Sequence, residues 1–404
     1  MNILPRFLNY VSYWTTSQEG EKTTPSTSRQ FDLAKVLEKE LKSLGINDVV
    51  LDDYCYVYGF LPASLDYPSK TSIGFIAHMD TAPDMTGKDV KPNIIKNYNG
   101  KDILLPNGEI SILVDDFPHL TSLRGKTLIT TDGNTLLGAD DKAGIAEIIT
   151  AIEEIQARNL PHPDIYIAFT PDEEIGEGSD HFDLKRFNAD YAYTIDGDYE
   201  GEIAYENFNA ATGDFYIKGK NVHPGEAKNI MINAASIACE IQSLLPEYET
   251  PEHTDGREGF YHLTNISGDI ASAKLTYIIR DHDKELFQKK LNYLEKIENL
   301  MNEKYGEHRV TLNIRESYQN MLSIIENHME IIHLAKEAIT SVGLTPISTP
   351  VRGGTDGARL SFMGLPCPNL GTGGHGFHGP MEHIALESME TVVEIICYIA
   401  SHAK

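Results

Sequence analysis

The stretch TSIGFIAHMDTAP, residues 71–83, has the pattern of a buried strand that ends on polar side chains. Its apolar run at 73–77 has the length of a strand, and side chains alternate in an extended chain, so His78 and Asp80 share one face. A carboxylate at Asp80 could accept the second N–H of the His78 imidazole while the other ring nitrogen binds a metal ion. Taken alone, the stretch is more typical of a His-x-Asp pair at the exposed end of a strand.

Four further stretches have the same form, an apolar run followed by potential metal ligands. They are LLGADDKAG (136–144), FTPDEEIGEG (169–178), YTIDGD (193–198) and GFHGPMEH (376–383). Together with the first stretch they offer His, Asp and Glu, the ligands that suit a pair of zinc-like ions. Ligands of open α/β sheets bind where strands pass into loops, so the five stretches predict a site on the rim of such a sheet.

The acidic candidates each have an ordinary structural alternative. Asp140 precedes a predicted helix, where it or Asp141 could serve as the N-terminal cap. In the functional interpretation, Asp140 bridges two cations with its two oxygens. Asp196 follows a strand and could equally belong to an Asp-Gly turn.

Three consecutive acids, Asp172, Glu173 and Glu174, follow the predicted strand IYIAF. Such a run is usually a solvated loop, but the position after a strand favours a function. Adjacent carboxylates point in different directions, so one can bind metal while its neighbour stays unbound and serves as a base.

The tail GTGGHGFHGPMEH contains His375, His378 and His383 in a glycine-rich loop. A phosphate-binding loop is disfavoured because no GK[ST] follows the glycines. The glycines are more consistent with close approach of the backbone to a crowded site. The spacing does not show which histidine is the ligand.

Three residues outside these stretches are candidates for contacts with a substrate. Arg280 in YIIRDHD and Arg352 in VRGGTDGARL could each bind a carboxylate with a planar pair of donors, although a lone arginine in an acidic chain is more often part of a salt bridge. His223 in KGKNVHPGEAKN would otherwise be an exposed turn residue before Pro224.

The order of the elements predicts an α/β fold with an inserted domain. Short apolar strands alternate with amphipathic helices in residues 1–206 and 322–404, which predicts a mostly parallel sheet covered by helices. Between them, residues 207–321 combine alternating strands with two amphipathic helices, as expected for a small α+β sandwich.

Composition restricts the classes of partner. The chain has 404 residues and a formal net charge of −26, from 60 acidic and 34 basic side chains. A charge of this sign argues against nucleic acid or an anionic membrane as partner. The four cysteines are far apart and have no CxxC spacing, so we expect free thiols in a cytoplasmic protein. The start of the chain lacks the continuous apolar core of a signal peptide.

The motifs HMDTAP, GADDKAG, PDEEIG, DGD and VHPGEAKN, in this order, resemble those of the zinc aminopeptidase family of peptidase T. That family lies within the aminoacylase and carboxypeptidase-like metallopeptidases. The stretches RGGTDGA and GFHG fit peptidase T more closely than the wider group, and the similarity covers essentially the whole chain.

The resemblance implies a catalytic domain with two zinc ions and an inserted lid that also forms a homodimer. One zinc would take His78 and Asp196 and the other Glu174 and His378, with Asp140 between them. The histidine of the Phe-His-Gly triplet is the family's ligand, which selects His378.

The resemblance also assigns roles around the ions. Asp80 would orient His78, and Glu173 would be the general acid and base. His223 would reach the site of the partner subunit to stabilise the oxyanion. Arg280 and Arg352 would hold the terminal carboxylate of the peptide.

The activity implied is release of the N-terminal residue from tripeptides, by attack of a hydroxide held by the zinc pair, with Glu173 as base. An N-acyl amino acid deacylase or a carboxypeptidase would share the metal ligands, and only the polarity of the substrate separates these enzymes. A non-catalytic peptide-binding protein is disfavoured, because binding alone does not need an unligated base such as Glu173 beside the five ligands.

Overall fold

A computed structural model describes residues 1–65, 67–68 and 70–404 of the chain. The chain divides into two compact units. The first unit comprises Met1–Tyr205, Ser323–Thr349 and Thr355–Lys404, and the second comprises Glu206–Leu322 and Pro350–Gly354.

Helices and strands alternate through most of the chain. The helices are α1 (Ile3–Val11), α2 (Gln30–Ser43), α3 (Ala139–Ala157), α4 (Ala234–Leu244), α5 (Lys284–Tyr305), α6 (Leu322–Ile325), α7 (Met329–Ser341), α8 (Asp356–Met363) and α9 (Leu386–His402). The first ten strands are β1 (Asn47–Leu51), β2 (Val57–Leu61), β3 (Ile73–His78), β4 (Asn93–Ile95), β5 (Ile103–Leu104), β6 (Ser111–Ile112), β7 (Leu128–Thr130), β8 (Ile165–Thr170), β9 (Tyr191–Ile195) and β10 (Ile203–Ala204). They are followed by β11 (Asn209–Lys218), β12 (Phe260–Gly268), β13 (Ser272–Asp281), β14 (Val310–Tyr318), β15 (Asn369–Leu370), β16 (Gly374–His375) and β17 (His383–Ala385).

The first unit is built on a seven-stranded sheet with the order β1-β2-β8-β3-β9-β15-β10. The central pairs β8-β3, β3-β9 and β9-β15 are parallel, whereas the outer pairs are antiparallel. Every residue of β3 is buried, as expected for a parallel strand covered on both faces. The predicted α/β class is therefore confirmed, with a sheet that is mixed and parallel at its centre.

A second part of the first unit was not predicted from the sequence. It contains a four-stranded sheet, with the order β16-β17-β7-β4, and the hairpin β5-β6. These strands have only two or three residues each, too few to give a periodic pattern. Strand β17 links this sheet to the tail histidines, because His383 pairs with Thr130.

The second unit is an antiparallel sheet with the order β12-β13-β11-β14, and helices α4 and α5 pack against it. Burial alternates along β13, as expected for a strand with one covered face. Its buried core includes Phe215, Leu275, Tyr277 and Leu294. The sequence predicts an α+β unit here but not β12, in which five of nine residues are exposed and burial does not alternate.

The second unit differs from the predicted range 207–321 by one residue at each end, Glu206 and Leu322, and by one separate segment. Pro350–Gly354, which the sequence assigned to the first domain, belong to the second unit. The N–H of Val351 donates to the carbonyl of Glu206 at 2.9 Å, and the side chain of Arg352 donates to the backbone of Gly256 and Glu258. These bonds attach Pro350–Gly354 to the second unit, although the segment is distant in sequence from the rest of that unit.

All four cysteines are free in the structure, and Cys55, Cys367 and Cys397 are buried. Cys239 differs, since it lies on the exposed side of α4. Within the described parts of the chain, no helix combines the length and the apolar character needed to cross a membrane.

Helix α3 contains a fully buried carboxyl group at Glu147, and neither of its oxygens has a hydrogen-bond partner among the described residues. Burial raises the pKa of this carboxyl well above its ordinary value, and the nearby Glu200 raises it further. Between the unfolded-state and folded-state pKa values, the folded protein holds a proton that the unfolded protein has lost. Stability therefore falls as the pH rises through this window.

We expect Glu147→Gln, which stays neutral, to reduce the loss of melting temperature between about pH 5 and pH 8. Thermal unfolding followed by circular dichroism across this range checks the prediction. Glu295→Gln, at an exposed position on α5, is the control and should keep the wild-type profile. Equal slopes for Glu147→Gln and the wild type would contradict the prediction.

Candidate metal centre

The carboxyl ends of three neighbouring strands bring the predicted ligands to one edge of the sheet. His78 is the last residue of β3, Glu174 follows β8, and Asp196 follows β9 directly. Strands β8, β3 and β9 are adjacent and parallel, so the loops that follow them meet. Asp140 reaches the same place from the first turn of α3.

The two oxygens of Asp140 face two different histidines. Its Oδ1 lies 2.9 Å from Nε2 of His78, and its Oδ2 lies 3.3 Å from Nε2 of His378. His378 Nε2 is also 3.0 Å from Oε2 of Glu174. This arrangement has the shape that a carboxylate bridging two cations requires.

Two overlapping groups of potential ligand atoms are close enough to hold ions. One group is His78, Asp140 and Glu174, and the other is His78, Asp141 and Asp196, with all ligand atoms of a group within 4.8 Å of one another. The structure thus brings together all five residues predicted as ligands, since His378 adjoins the first group.

Asp141 is an addition to the predicted set. Its carboxylate accepts the N–H of His78 at 3.1 Å and the N–H of Gly144 in α3 at 3.2 Å. The sequence left open which of the two aspartates caps the helix. Asp141 takes the helix N–H, and Asp140 remains free to face the histidines.

The donor set fits divalent cations because no lysine or arginine among the described residues neutralises its carboxylates. Across the described ranges, no Lys or Arg lies within 4 Å of the carboxylates of Asp140, Glu174 or Asp196, and Oε1 of Glu174 is buried without a partner. Burial raises the pKa of Glu174 and of Asp196, because a buried carboxylate without a counter-charge is unfavourable. Hydrogen bonds to Asp140 and Glu174 raise the pKa of His378 to about 11, so the site favours positive charge.

Asp80 lies behind His78 and contacts the turn that follows β8. Its Oδ1 is 3.3 Å from Nδ1 of His78. The same carboxylate accepts the N–H groups of Glu173 and Glu174 at 3.0 and 3.2 Å. The backbone carbonyl oxygen of Asp80 is also 3.2 Å from Nδ1 of His78, so the role of the carboxylate in orienting His78 stays a prediction. The Asp80 carboxylate holds the turn that carries both glutamates.

The carboxylate of Glu173 differs from that of its neighbour. Glu174 is 3.0 Å from His378, whereas the Glu173 carboxylate has no hydrogen bond or ion pair within the part of the chain that the structure describes. Burial raises the pKa of Glu173 well above its ordinary value. A carboxyl group with a raised pKa beside a metal centre suits proton transfer near neutral pH.

The tail histidines fall into two separate places. His375 and His383 form a cluster with His119, in which the His119 and His383 Nε2 atoms are 2.9 Å apart and the His119 and His375 rings are 3.7 Å apart. Burial lowers the pKa of His383 to about 4. Of the three tail histidines, only His378 is found beside Asp140 and Glu174 within the described residues.

Glu382 is a residue of the site that the sequence analysis missed. Its carboxylate accepts the N–H groups of Leu137, Gly138 and Asp140 at 2.6, 2.8 and 3.0 Å. It thus fixes the loop that delivers Asp140. Nothing in the spacing of GFHGPMEH separates this role from that of an ordinary surface glutamate.

His223, Arg280 and Arg352 lie in the second unit. His223 precedes an exposed turn, and its Nδ1 accepts the N–H of Gly225 at 3.1 Å. This local structure is the one expected if His223 is only an exposed turn residue. Its predicted catalytic role stays a prediction.

The two arginines bond to neutral oxygens. Arg280 donates to the carbonyls of Ala211 and Ile279, and Arg352 donates to two carbonyls and to the hydroxyl of Thr254. Neither has an acidic partner within 4 Å among the described residues, so the alternative of a simple salt bridge is not what the structure shows. Their roles in binding a substrate carboxylate stay predictions.

Because His378 and His375 lie in different places, substituting each one tests whether His378 is the metal ligand of the tail. We expect His378→Gln to weaken binding of one divalent ion by more than about 100-fold, because the substitution removes a predicted ligand rather than a residue that only supports one. His375→Gln is the matched control, three residues away, and should retain both ions. Isothermal titration of the metal-free proteins with zinc checks the two variants. Equal metal affinity of His378→Gln and the wild type would exclude His378 as a ligand.

Comparison with known proteins adds the family context. The sequence profile of peptidase family M20/M25/M40 matches residues 130–402. A curated relative, peptidase T of Halothermothrix orenii, is 53% identical over 399 residues, which cover 98% of each chain.

Solved structures share the fold. The aminopeptidase PepT of Bacillus cereus superposes with a TM-score of 0.79 at 24% identity, covering 99% of this chain and 97% of its own. The YXEP protein of Bacillus subtilis, described as a dinuclear metal-binding peptidase of the M20 family, gives a TM-score of 0.66 at 16% identity, covering 99% and 98%.

Proposed function

The chain belongs to the peptidase T group of peptidase family M20/M25/M40 and is thus a metallopeptidase, and on this premise we propose that it is an aminopeptidase that releases the N-terminal residue of tripeptides. The observation that carries the proposal is the pairing of a carboxylate that faces two histidines, Asp140, with an unligated acid, Glu173. A protein that only stores or transports metal would need a carboxylate such as Asp140 but not an unligated acid such as Glu173.

We propose that the site holds two zinc ions. His78 and Asp196 would bind one ion, Glu174 and His378 the other, and Asp140 both. A bound zinc pair would polarise a carbonyl and supply a water whose pKa is about 7. The His, Asp and Glu donors suit zinc and also accept other first-row metals.

The residues of the chain carry the proton transfers of the proposed reaction. The Glu173 carboxylate takes the proton of the attacking water and then delivers it to the nitrogen of the departing amine. Asp80 fixes the tautomer of His78 and, through the N–H groups of Glu173 and Glu174, the direction of the turn. The base is thus held by backbone bonds, which leaves its carboxylate free to react.

The second unit is proposed to contact the substrate and a partner subunit. It would act as lid and dimerisation domain, with His223 of the partner subunit stabilising the oxyanion and Arg280 and Arg352 holding the peptide's carboxylate. The resemblance of VHPGEAKN and RGGTDGA to the peptidase T motifs supports these assignments. A homodimer in the cytoplasm belongs to the same prediction.

Product analysis by mass spectrometry tests the proposed activity. The zinc-loaded protein is incubated with a dipeptide, a tripeptide, a tetrapeptide and an N-acetyl tripeptide, and Glu173→Gln serves as the control for contaminating peptidases. We expect loss of the N-terminal residue from the free tripeptide only. Cleavage of the acetylated peptide would indicate a deacylase, and release of the C-terminal residue would indicate a carboxypeptidase; either result contradicts the proposal.

A further inference from the structure

Short hydrogen bonds tie the N-terminal segment, defined as residues 15–30, to Asp172. Ser26 donates to the Asp172 carboxylate through its backbone N–H and through its hydroxyl, both at 2.6 Å. Gln30 donates its side-chain N–H to the same carboxylate at 2.6 Å and accepts the backbone N–H of Asp172 at 3.3 Å. All three residues are buried. The carboxylate thus receives three hydrogen bonds from a segment more than 140 residues away in sequence.

Asp172 starts the turn that carries the two glutamates of the site. Its φ is +55°, in the left-handed region that non-glycine residues seldom adopt. A short 3-10 turn, Glu173–Ile175, follows it. The direction of the Glu173 and Glu174 side chains therefore depends on the conformation of Asp172 as well as on the bonds to Asp80.

The N-terminal segment also bonds to the loop that follows Asp80. The hydroxyls of Thr16 and Thr81 are 3.0 Å apart, and the N–H of Ser17 donates to the carbonyl of Thr81 at 3.2 Å. One segment is thus bonded to two loops. One loop carries the proposed base, and the other carries the aspartate that contacts His78.

We propose that the N-terminal segment positions the catalytic base, with Ser26 and Gln30 acting through Asp172. By holding Asp172 in its left-handed conformation, they fix Glu173 for proton transfer and Glu174 for metal binding. Ser26, Gln30 and Asp172 are positioning residues in this scheme, because none of them contacts the ligand atoms of the site directly. The inference rests on the proposed function for the role of Glu173, whereas the placement of Glu174 can be tested without any substrate.

A matched pair in the same unit separates positioning from simple stabilisation. Ser72 donates to the carboxylate of Asp190 through its N–H at 2.7 Å and its hydroxyl at 2.9 Å, the same two bonds that Ser26 makes. Ser72 and Asp190 directly precede β3 and β9, at the ends of these strands opposite to His78 and Asp196. Loss of either hydroxyl removes one bond to a carboxylate, which is buried at Asp172 and exposed at Asp190, but only Ser26 is connected to the catalytic turn.

The experiment compares Ser26→Ala with Ser72→Ala in the full-length zinc enzyme. We expect Ser26→Ala to lower kcat by about tenfold or more with KM changed by less than about threefold, because displacement of a catalytic group by about 1 Å can cost up to about 100-fold. Ser72→Ala should keep the wild-type kcat. Ser26→Thr, which retains the hydroxyl, should recover most of the activity. If Ser26→Ala fails to fold, Gln30→Met is compared with Ser72→Ala instead, because it removes the Gln30 bond to Asp172 and leaves both Ser26 bonds in place. We expect the same loss of kcat.

A spectroscopic readout tests the placement of Glu174 without turnover. The visible absorption of the cobalt-substituted protein reports the ligand geometry, and we expect it to change in Ser26→Ala and to stay as in the wild type in Ser72→Ala. If the wild type fails to cleave tripeptides but this difference appears, the proposed substrate is wrong and the positioning role stands. If Ser26→Ala matches Ser72→Ala in both kcat and cobalt spectrum, the positioning proposal is wrong.

Discussion

Glu173→Ala is expected to lose about 10³- to 10⁴-fold in kcat while the fold and both metal ions are retained. The Glu173 carboxylate has no hydrogen bond or ion pair among the described residues, and the turn is held by the backbone N–H groups of Glu173 and Glu174 on Asp80, which the substitution leaves in place. Removing the side chain therefore removes the proton acceptor and little else. Steady-state kinetics, metal analysis and thermal unfolding of the same preparation check the three parts of this prediction.

The control for this variant is Glu177→Gln, in the same loop. Glu177 donates its N–H to the carbonyl of Asp172 and would keep that bond. We expect it to retain the turnover and metal content of the wild type. Wild-type turnover in Glu173→Ala would show that another group is the base, whereas loss of metal from that variant would make Glu173 a ligand.

Asp140→Ala is expected to lose both the second metal ion and the activity, with kcat/KM reduced by at least about 10³-fold. Its two oxygens face His78 and His378, at 2.9 and 3.3 Å, so the substitution affects both halves of the site. Two histidines would then face each other without the negative charge between them. Added zinc should fail to restore the rate, because the carboxylate proposed to bridge the two ions is missing.

Metal stoichiometry by mass spectrometry of the native protein measures this effect. Asp132→Ala, in the loop before α3, is the matched control, because Asp132 lies 3.9 Å from the exposed Lys91 and forms no part of the ligand groups. We expect it to keep two ions and normal rates. Two tightly bound ions in Asp140→Ala would contradict the assignment of Asp140 as the bridge.

The positions of several site residues could be predicted from a simple geometric rule: the carboxyl ends of neighbouring parallel strands lie at the same edge of the sheet. His78, Glu174 and Asp196 each lie at or just after the end of a buried apolar strand. Parallel neighbours place those ends on one edge, so a short apolar run followed by an acid or a histidine is informative even in a single sequence. Residue type supplied the candidates, the resemblance to peptidase T selected among them, and their roles as ligands stay predictions that the variants described above would test.

Other features of the site could not be predicted from local sequence patterns. The separation of His378 from His375 and His383 depends on two strand pairings: β16-β17 pairs His375 with His383, and β17-β7 pairs His383 with Thr130. His383 lies beside His119 as a result. The support of Asp140 by Glu382 joins residues 242 positions apart. Short strands of two or three residues also lack any periodic pattern, so the sheet that holds these residues could not be predicted.

The sequence by itself determined the α/β class, the presence of a second, α+β unit, and the side chains other than Asp141 that are grouped as possible metal ligands. These features follow from hydrophobic periodicity and from residue chemistry along a local stretch. The tertiary structure alone decided which oxygens of Asp140 face which histidine, that Asp141 bonds to the helix instead, and that Ser26 and Gln30 hold the turn before Glu173. These arrangements depend on contacts between distant segments. Such contacts are selected by packing and hydrogen bonding of the whole unit and leave no pattern in the local sequence.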